Sequence, residues 1–172
     1  FTFACPAGKN VIFDELLGDG AGAFGKMSGR KPDKAGTDNT FDIIFNPVSN
    51  CYIENIQPVW EECARIIKTG GILMMGYVKE EHFMFDPDFS KEQSLTTVYK
   101  LPFHSLRDLS EDRKQEMRKK QEPFLFSHSL TEQLGGLIKA GFLISDLYED
   151  GDGGGLFDCY MNSYVAVRAV KN

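Results

Sequence analysis

Residue types suited to ligand binding concentrate in two short stretches of this 172-residue chain. The stretch from Asn46 to Tyr52 mixes uncharged polar groups with apolar surface, and its first four residues are the candidate ligand contacts: Asn46, Pro47, Val48 and Ser49. The other stretch has a glycine at every second position: Gly18, Gly20 and Gly22. Glycines spaced in this way let the backbone approach a nucleotide-like ligand closely. An ordinary polar turn and a flexible glycine-rich loop are the alternative interpretations of the two stretches.

The sequence shows no pattern typical of nucleophilic catalysis or of metal binding. Serine, histidine and aspartate do not occur in an arrangement typical of a catalytic triad. The histidines form no ligand-spaced cluster with the four cysteines, so we expect no metal site. Catalytic residues are therefore not assigned. If a substrate must lose a proton, His82 or His104 could act as the base.

The elements that position the first loop are predicted from residues 39–78. Phe41 to Phe45 is a short apolar run suited to a buried strand, and the following proline ends it because proline has no N–H for a ladder. Ile72 to Val78 is a second buried strand. Two such strands joined by one helix make a βαβ unit, so we expect them to be parallel.

The helix between these strands is predicted to begin at about Asn55, with Pro58 in its first turn, where proline is tolerated. Gly70 is the expected left-handed C-cap. Four apolar residues repeat at helical spacing and predict the buried face: Val59, Cys63, Ile66 and Ile67.

The order and spacing of these pieces resemble the central part of a class I S-adenosylmethionine-dependent methyltransferase of the small bacterial type. In that family the fourth strand reads Phe, Asp and two hydrophobic residues, and the next helix ends in Arg, a hydrophobic residue, Leu, Lys, Pro and two glycines. Here residues 41–44 match the strand, and residues 65–71 match the helix end with Thr69 at the proline position. The resemblance implies a doubly wound Rossmann-like α/β sheet, methyl transfer, and S-adenosylmethionine as the cofactor.

The resemblance also assigns the three glycines to the cofactor loop that follows the first strand. Asn10 to Phe13 is a candidate for that strand. The interval between Gly22 and Phe41 is too short and too polar for the two strands and helices that the family has there. We therefore expect the amino-terminal half of the fold, and of the cofactor site, to be incomplete in this sequence.

Residues 79–123 are interpreted as an insertion, which in the family forms a lid over the substrate. Leu95 to Leu101 is predicted to be an extra strand, and Ser110 to Gln121 a charged, solvated helix. Five aromatic residues of this segment either line a substrate pocket or form a satellite core: Phe83, Phe85, Phe89, Tyr99 and Phe103.

Residues 124–172 extend the resemblance to the end of the fold. A capping box at Ser129 to Glu132 predicts the start of a helix. The buried face of that helix is predicted at four residues: Leu130, Leu134, Leu137 and Ile138. The paired glycines Gly135 and Gly136 are expected to pack on a sheet. Strands are predicted at 143–148 and 163–170, and the resemblance implies that the last one is inserted antiparallel.

Net charge and composition argue against two kinds of binding partner. The net charge of −6 argues against a general nucleic-acid surface, and the absence of a run of 18 apolar residues argues against a membrane span. Widely spaced cysteines are typical of reduced thiols in a cytoplasmic protein. We expect a small-molecule substrate, no nucleic-acid or membrane partner, and a homodimer as one candidate assembly.

The sequence as a whole predicts a single methyltransferase-like α/β domain over residues 1–172, with methyl transfer to an unidentified small molecule. Two alternatives remain. In the first alternative, the chain is a non-catalytic α/β binding or dimerisation protein that lost part of the cofactor site. In the second, it is a nicotinamide dinucleotide enzyme that uses the glycine loop. The polar segment 25–40 argues against the second alternative, since a βαβ unit should follow such a loop at once.

Overall fold

The computed structural model describes the backbone of residues 11–13 and, in full, residues 37–85 and 95–172. Its five strands form one sheet with the order β1-β2-β3-β5-β4. The strands are β1 (Val11–Phe13), β2 (Phe41–Pro47), β3 (Ile67–Val78), β4 (Phe142–Asp150) and β5 (Tyr164–Lys171).

The sheet is parallel on one side and antiparallel on the other. β1, β2 and β3 are mutually parallel, as the predicted βαβ unit requires. β5 lies between β3 and β4 and runs antiparallel to both. The antiparallel insertion of the last strand confirms the predicted Rossmann-like fold class. The short strand predicted near residues 10–13 is also present and borders β2.

Helix α1 (Gln57–Ile66) connects β2 to β3 and packs its apolar side on the sheet. The predicted face is confirmed, because Val59, Cys63, Ile66 and Ile67 are all buried. Trp60 is fully buried as well. An aliphatic side chain buried to this extent contributes about 1.5–3 kcal/mol to folding. These residues form one core cluster with the inward side chains of β3 and β5.

The predicted C-cap of this helix is wrong. The helix ends at Ile66, and Ile67 already has an extended backbone that joins β3 opposite Phe41. Gly70 does have a left-handed φ of 76°, but it lies within β3, where the register with β2 shifts. The helix ends earlier than predicted because Ile67 is buried in the sheet core. Gly70 instead allows the irregular backbone at the register shift within β3.

The carboxyl-terminal helix starts with the predicted capping box. The Ser129 amide donates to Glu132 Oε2 at 2.9 Å, and the Glu132 amide donates to Ser129 Oγ at 3.3 Å. A π-helical turn (Thr131–Gly135) then leads into helix α4 (Gly136–Lys139). The wider turn changes which side chains face inward.

The prediction of a buried face is therefore wrong for two residues of this helix. Leu130 and Ile138 are 64% and 60% exposed. Leu137 is fully buried as predicted, while Gln133 is buried in place of an apolar residue. The expected packing of the paired glycines on a sheet is also wrong, since Gly136 lies against Trp60 of α1.

The inserted segment contains helices α2 (Ser105–Asp108) and α3 (Glu111–Lys120). α3 confirms the predicted charged helix, with Ser110 as its N-cap and ion pairs along its exposed side. The strand predicted at 95–101 is wrong. Thr97 makes an isolated bridge to Phe85, and within the described part of the chain no neighbouring strand extends this pairing into a ladder. The high strand propensity of residues 95–101 is not sufficient, because a strand also needs a neighbouring strand to pair with.

In the described ranges Cys51 and Cys63 are buried, Cys159 is exposed, and none of the three forms a disulfide. None of the helices in residues 37–85 and 95–172 is long and apolar enough to cross a membrane.

Candidate functional site

The first candidate loop lies at the edge of the sheet where the parallel strands end. β2 and β3 finish side by side, with Pro47 opposite Gly76. β1 ends at the same edge, and antiparallel β5 begins there, with Tyr164 opposite Val78. Ligands of open α/β sheets bind beyond this edge. The structure thus places residues 46–52 where the sequence predicts a binding loop.

Val48 gives this loop its shape. It has a left-handed φ of 52°, a region that β-branched residues rarely occupy. Its amide donates to the Gly76 carbonyl at 3.0 Å, which ties the loop to the end of β3. A Cβ at Gly76 would lie only 3.0 Å from Val48 Cγ2, so the missing side chain makes the close approach possible. Backbone strain of this kind costs about 1–3 kcal/mol and is concentrated at functional sites.

The four predicted contact residues occupy two different environments. Asn46 and Ser49 are buried, and Ser49 Oγ donates to Asn46 Oδ1 at 2.7 Å. Pro47 is exposed and Val48 is half-buried. Pro47 and Val48 therefore present surface at the sheet edge, while the Asn46 and Ser49 side chains bond to each other within the loop.

The second half of the loop is a single 3₁₀ turn, Asn50–Tyr52, whose first two residues are buried. Asn50 Nδ2 donates to Gln133 Oε1 at 2.9 Å. Burial raises the pKa of the Cys51 thiol to about 11, so the thiol stays protonated at neutral pH. Cys51 is thus an apolar packing group beside the loop and has none of the properties of a nucleophile.

Of the two histidines named as candidate bases, His82 lies in the 3₁₀ helix that directly follows β3 at this edge. Its ring stacks on Phe157 with centroids 4.0 Å apart. Nδ1 is buried and has no hydrogen-bond partner in the described part of the chain. Burial lowers the pKa of His82, and the charge of Asp152 offsets this only in part. The imidazole is therefore neutral at pH 7.

His104 has a different environment. Its Nε2 lies 2.9 Å from Glu54 Oε1, and the edge of its ring meets Phe126. These contacts attach the inserted segment to the chain that follows the candidate loop. His104 is therefore a structural contact in this conformation, while His82 is the neutral imidazole nearest the end of β3.

The aromatic residues of the insertion form a small second core. Phe83 and Phe103 are buried with Cys51 of the candidate loop, and Tyr99 packs against them. Phe85 meets the ring of Phe157 instead. The satellite-core interpretation is confirmed for Phe83 and Phe103, and the cluster packs against the candidate loop through Cys51. Phe89 lies outside the described residues.

The glycine half of the predicted site belongs to a part of the chain that the structure does not describe. Gly18, Gly20 and Gly22 lie outside the described residues, and the prediction for them stands as made from sequence. Within residues 37–85 and 95–172, no three histidine, cysteine, aspartate or glutamate side chains come together in a way that could hold a metal ion.

Sequence reasoning missed three residues of this edge: Gly76, His128 and Gln133. Gly76 offered no signal beyond a glycine in an apolar strand, which often marks a close backbone approach. Gln133 did offer one, since it is a polar residue between the leucines of an amphipathic helix. His128 had no sequence neighbour that could suggest its partners, which are the carbonyls of Asn50 and Ile53.

Comparisons with known proteins agree with this geometry. Residues 33–75 match the family model described as a methyltransferase domain. The chain is 37% identical over 134 residues to the uncharacterized methyltransferase YbaJ of Bacillus subtilis, a match that covers 78% of this chain and 52% of that protein. The chain thus spans about half the length of the curated relative it matches.

Solved structures show the same fold. An S-adenosylmethionine dependent methyltransferase from Mesorhizobium loti aligns with a TM-score of 0.56 at 13% identity, covering 83% of this chain and 67% of that one. The PH0226 protein from Pyrococcus horikoshii OT3 aligns with a TM-score of 0.50 at 14% identity, covering 84% and 57%. The chain is thus similar in sequence to methyltransferases and shares the fold of S-adenosylmethionine-dependent methyltransferases.

Proposed function

We propose that the protein transfers a methyl group from S-adenosylmethionine to a small-molecule acceptor. The observation that carries the proposal is the strained loop at Val48, held against Gly76 where β2 and β3 end. The sequence similarity to methyltransferases supports the reaction type. The acceptor, a cytoplasmic location and a homodimer are further expectations from the sequence.

The residues of the loop fit a sulfonium cofactor. No side chain from Asn46 to Ile53 is charged, so none repels a positive sulfur. Pro47 and Val48 offer apolar surface, and the Asn46–Ser49 hydrogen bond keeps the loop in one shape. We infer that the loop holds the methionine end of the cofactor through Pro47 and Val48, with Asn46 and Ser49 fixing its shape, and that Gly18, Gly20 and Gly22 hold the adenosine end.

The bound cofactor would supply a methyl group already activated by its positive sulfur. The task of the chain is therefore positioning and exclusion of water, since no strong nucleophile is needed. The loop orients the methyl donor, and the buried cluster of Phe83, Phe103 and Cys51 supports the loop from one side. If the acceptor must lose a proton, neutral His82 is the described side chain best suited to take it.

Calorimetric titration of the full-length protein with S-adenosylmethionine and with S-adenosylhomocysteine tests the cofactor assignment. We expect saturable binding of both. The absence of any binding would defeat the enzyme proposal and favour the non-catalytic α/β protein.

The acceptor class has its own test. The protein is incubated with labelled S-adenosylmethionine and a cell extract separated by ultrafiltration into small molecules and macromolecules. We expect label transfer in the small-molecule fraction. Transfer confined to the macromolecular fraction would contradict a small-molecule acceptor.

A further inference from the structure

The segment that precedes α4 runs alongside the candidate loop and bonds to it repeatedly. The Phe126 amide donates to the Cys51 carbonyl at 2.8 Å. Side chains of His128 and Gln133 then reach the loop directly. We call His128 and Gln133 the loop clamp. Both are buried, at 3% and 2% exposure.

His128 bridges two carbonyls of the loop with one nitrogen. Its Nε2 lies 2.7 Å from the Ile53 carbonyl oxygen and 3.1 Å from that of Asn50. A carbonyl oxygen only accepts hydrogen bonds, so Nε2 carries a proton and donates to both. These are the two ends of the 3₁₀ turn, because the Ile53 amide donates to the Asn50 carbonyl. One imidazole thereby fixes the whole turn.

Gln133 holds the same turn from its side chain. Its Oε1 accepts from Asn50 Nδ2 at 2.9 Å, and Asn50 is only 1% exposed. Asn50 Oδ1 has no partner in the described part of the chain, so the amide depends on this single bond. An isolated buried amide pair is costly to break because no water replaces the lost partner.

The clamp has a rigid base of its own. The capping box fixes the start of the helix, and Trp60 Nε1 donates to the Glu132 carbonyl at 3.1 Å. The π-helical turn Thr131–Gly135 then places Gln133 inward. Such turns cost stability relative to a regular helix and frequently occur at functional sites. The polar side chains of the clamp are thus fixed from α1 and from the capping box at once.

We propose that His128 and Gln133 are positioning residues for methyl transfer. They hold the turn Asn50–Tyr52, and through it the strained backbone at Val48, in the one arrangement that receives the methyl donor. This rests on the proposed function. Without the clamp the loop would occupy its binding-competent arrangement for only a fraction of the time, and the apparent affinity would fall in proportion to that fraction.

Paired variants test the role. Gln133→Met and His128→Leu remove the hydrogen bonds and keep the volume approximately, whereas His128→Gln retains an N–H donor. Ser110→Ala is the control, because it removes the N-cap of α3 and leaves the clamp and the residues that support it unchanged. The two measurements are the dissociation constant of S-adenosylmethionine by calorimetry and the hydrogen exchange of the Tyr52 and Ile53 amides.

We expect Gln133→Met and His128→Leu to weaken cofactor binding roughly tenfold or more and to speed exchange of both amides. His128→Gln should restore most of the affinity, which a merely structural loss of packing would not allow. Ser110→Ala should bind normally despite its lower stability.

Two results would count against the proposal and are distinguishable. If the wild-type protein does not bind S-adenosylmethionine, the proposed function fails and the positioning role fails with it. If the wild-type protein binds and Gln133→Met and His128→Leu bind equally well, the positioning role alone is overturned.

Discussion

At the scale of single residues, the candidate site depends on side chains that are small or turned inward. Val48 adopts a left-handed backbone for two reasons. Gly76 leaves room for the Val48 side chain, and the Gly76 carbonyl accepts a hydrogen bond from the Val48 amide. Asn46 and Ser49 use their polar groups on each other. Only Pro47 and Val48 then present surface to a ligand, which makes the backbone as important as the side chains.

Gly76→Ala tests this arrangement. The new Cβ would lie 3.0 Å from Val48 Cγ2 and 3.6 Å from the Val48 nitrogen, so the Val48 side chain must shift by a few tenths of an ångström. We expect unfolding free energy to fall by about 1–3 kcal/mol, as overpacking usually causes, and cofactor affinity to fall with it. Urea denaturation and calorimetry measure the two effects.

The double variant Gly76→Ala with Val48→Ala is the control for that substitution. It removes Cγ2 and should recover much of the lost stability if the clash is the cause. An unchanged defect in the double variant would show that Gly76 matters for another reason.

At the scale of secondary structure, α1 and the carboxyl-terminal helix make a close contact in the core through Trp60 and Gly136. A Cβ at Gly136 would lie 2.6 Å from Trp60 Cδ1, whereas a Cβ at Gly135 would meet only Thr131 Cγ2 at 3.6 Å. Two adjacent glycines therefore have different roles. Gly136 permits the indole to bond with the Glu132 carbonyl, and Gly135 has no comparable packing contact.

Gly136→Ala and Gly135→Ala form a matched pair that separates these roles. Gly136→Ala should destabilise the protein by about 1–3 kcal/mol through overpacking against the indole. Gly135→Ala should be neutral or stabilising by up to about 1 kcal/mol, because alanine favours helical backbone. Chemical denaturation of both variants measures the difference, and equal effects of the two substitutions would contradict the packing argument.

At the scale of the whole molecule, acid stability depends on the imidazole at the sheet edge. Burial holds the pKa of His82 below its ordinary value of 6.5, so the folded protein binds a proton there less readily than the unfolded chain. A depressed pKa contributes stability that is present above pH 6.5 and is lost as the pH falls through the folded pKa. Folding should therefore weaken on mild acidification.

His82→Phe isolates that contribution. Phenylalanine keeps a ring for the stack on Phe157 and has no proton to bind. We expect the unfolding free energy of the variant to fall less than that of the wild type between about pH 8 and pH 5. Urea denaturation across this range gives the comparison. Parallel pH profiles would show that His82 binds a proton as readily in the folded protein as in the unfolded chain.

The sequence was sufficient for the parts of the fold that local patterns determine. The helical spacing of Val59 and Cys63, the capping box at Ser129 and the apolar run of β2 each depend on near neighbours in the chain. The long-range contacts were different. Ile67 leaves the helix because it is buried in the sheet. Residues 95–101 do not form a strand because, among the residues that the structure describes, they have one isolated bridge and no ladder.

The candidate site also has features that the sequence predicts and features that depend on distant residues. The position of the loop at Asn46 followed from strand order, because parallel strands end at one edge. The shape of the loop did not, since it depends on Gly76, His128 and Gln133, which are distant in sequence. A wider turn in the helix, which apolar spacing does not reveal, decides that Gln133 and not Leu130 faces inward.

The placement of β5 has a consequence for synthesis on the ribosome. β4 pairs only with β5 in the described sheet, and β5 also completes the free edge of β3. At roughly 5–20 residues per second, β4 leaves the ribosome on the order of seconds before its neighbour. During that interval the N–H and C=O groups on the inner edges of both strands are open to other chains. Nascent chains halted before Tyr164 should therefore be the species that chaperones hold and that aggregate first.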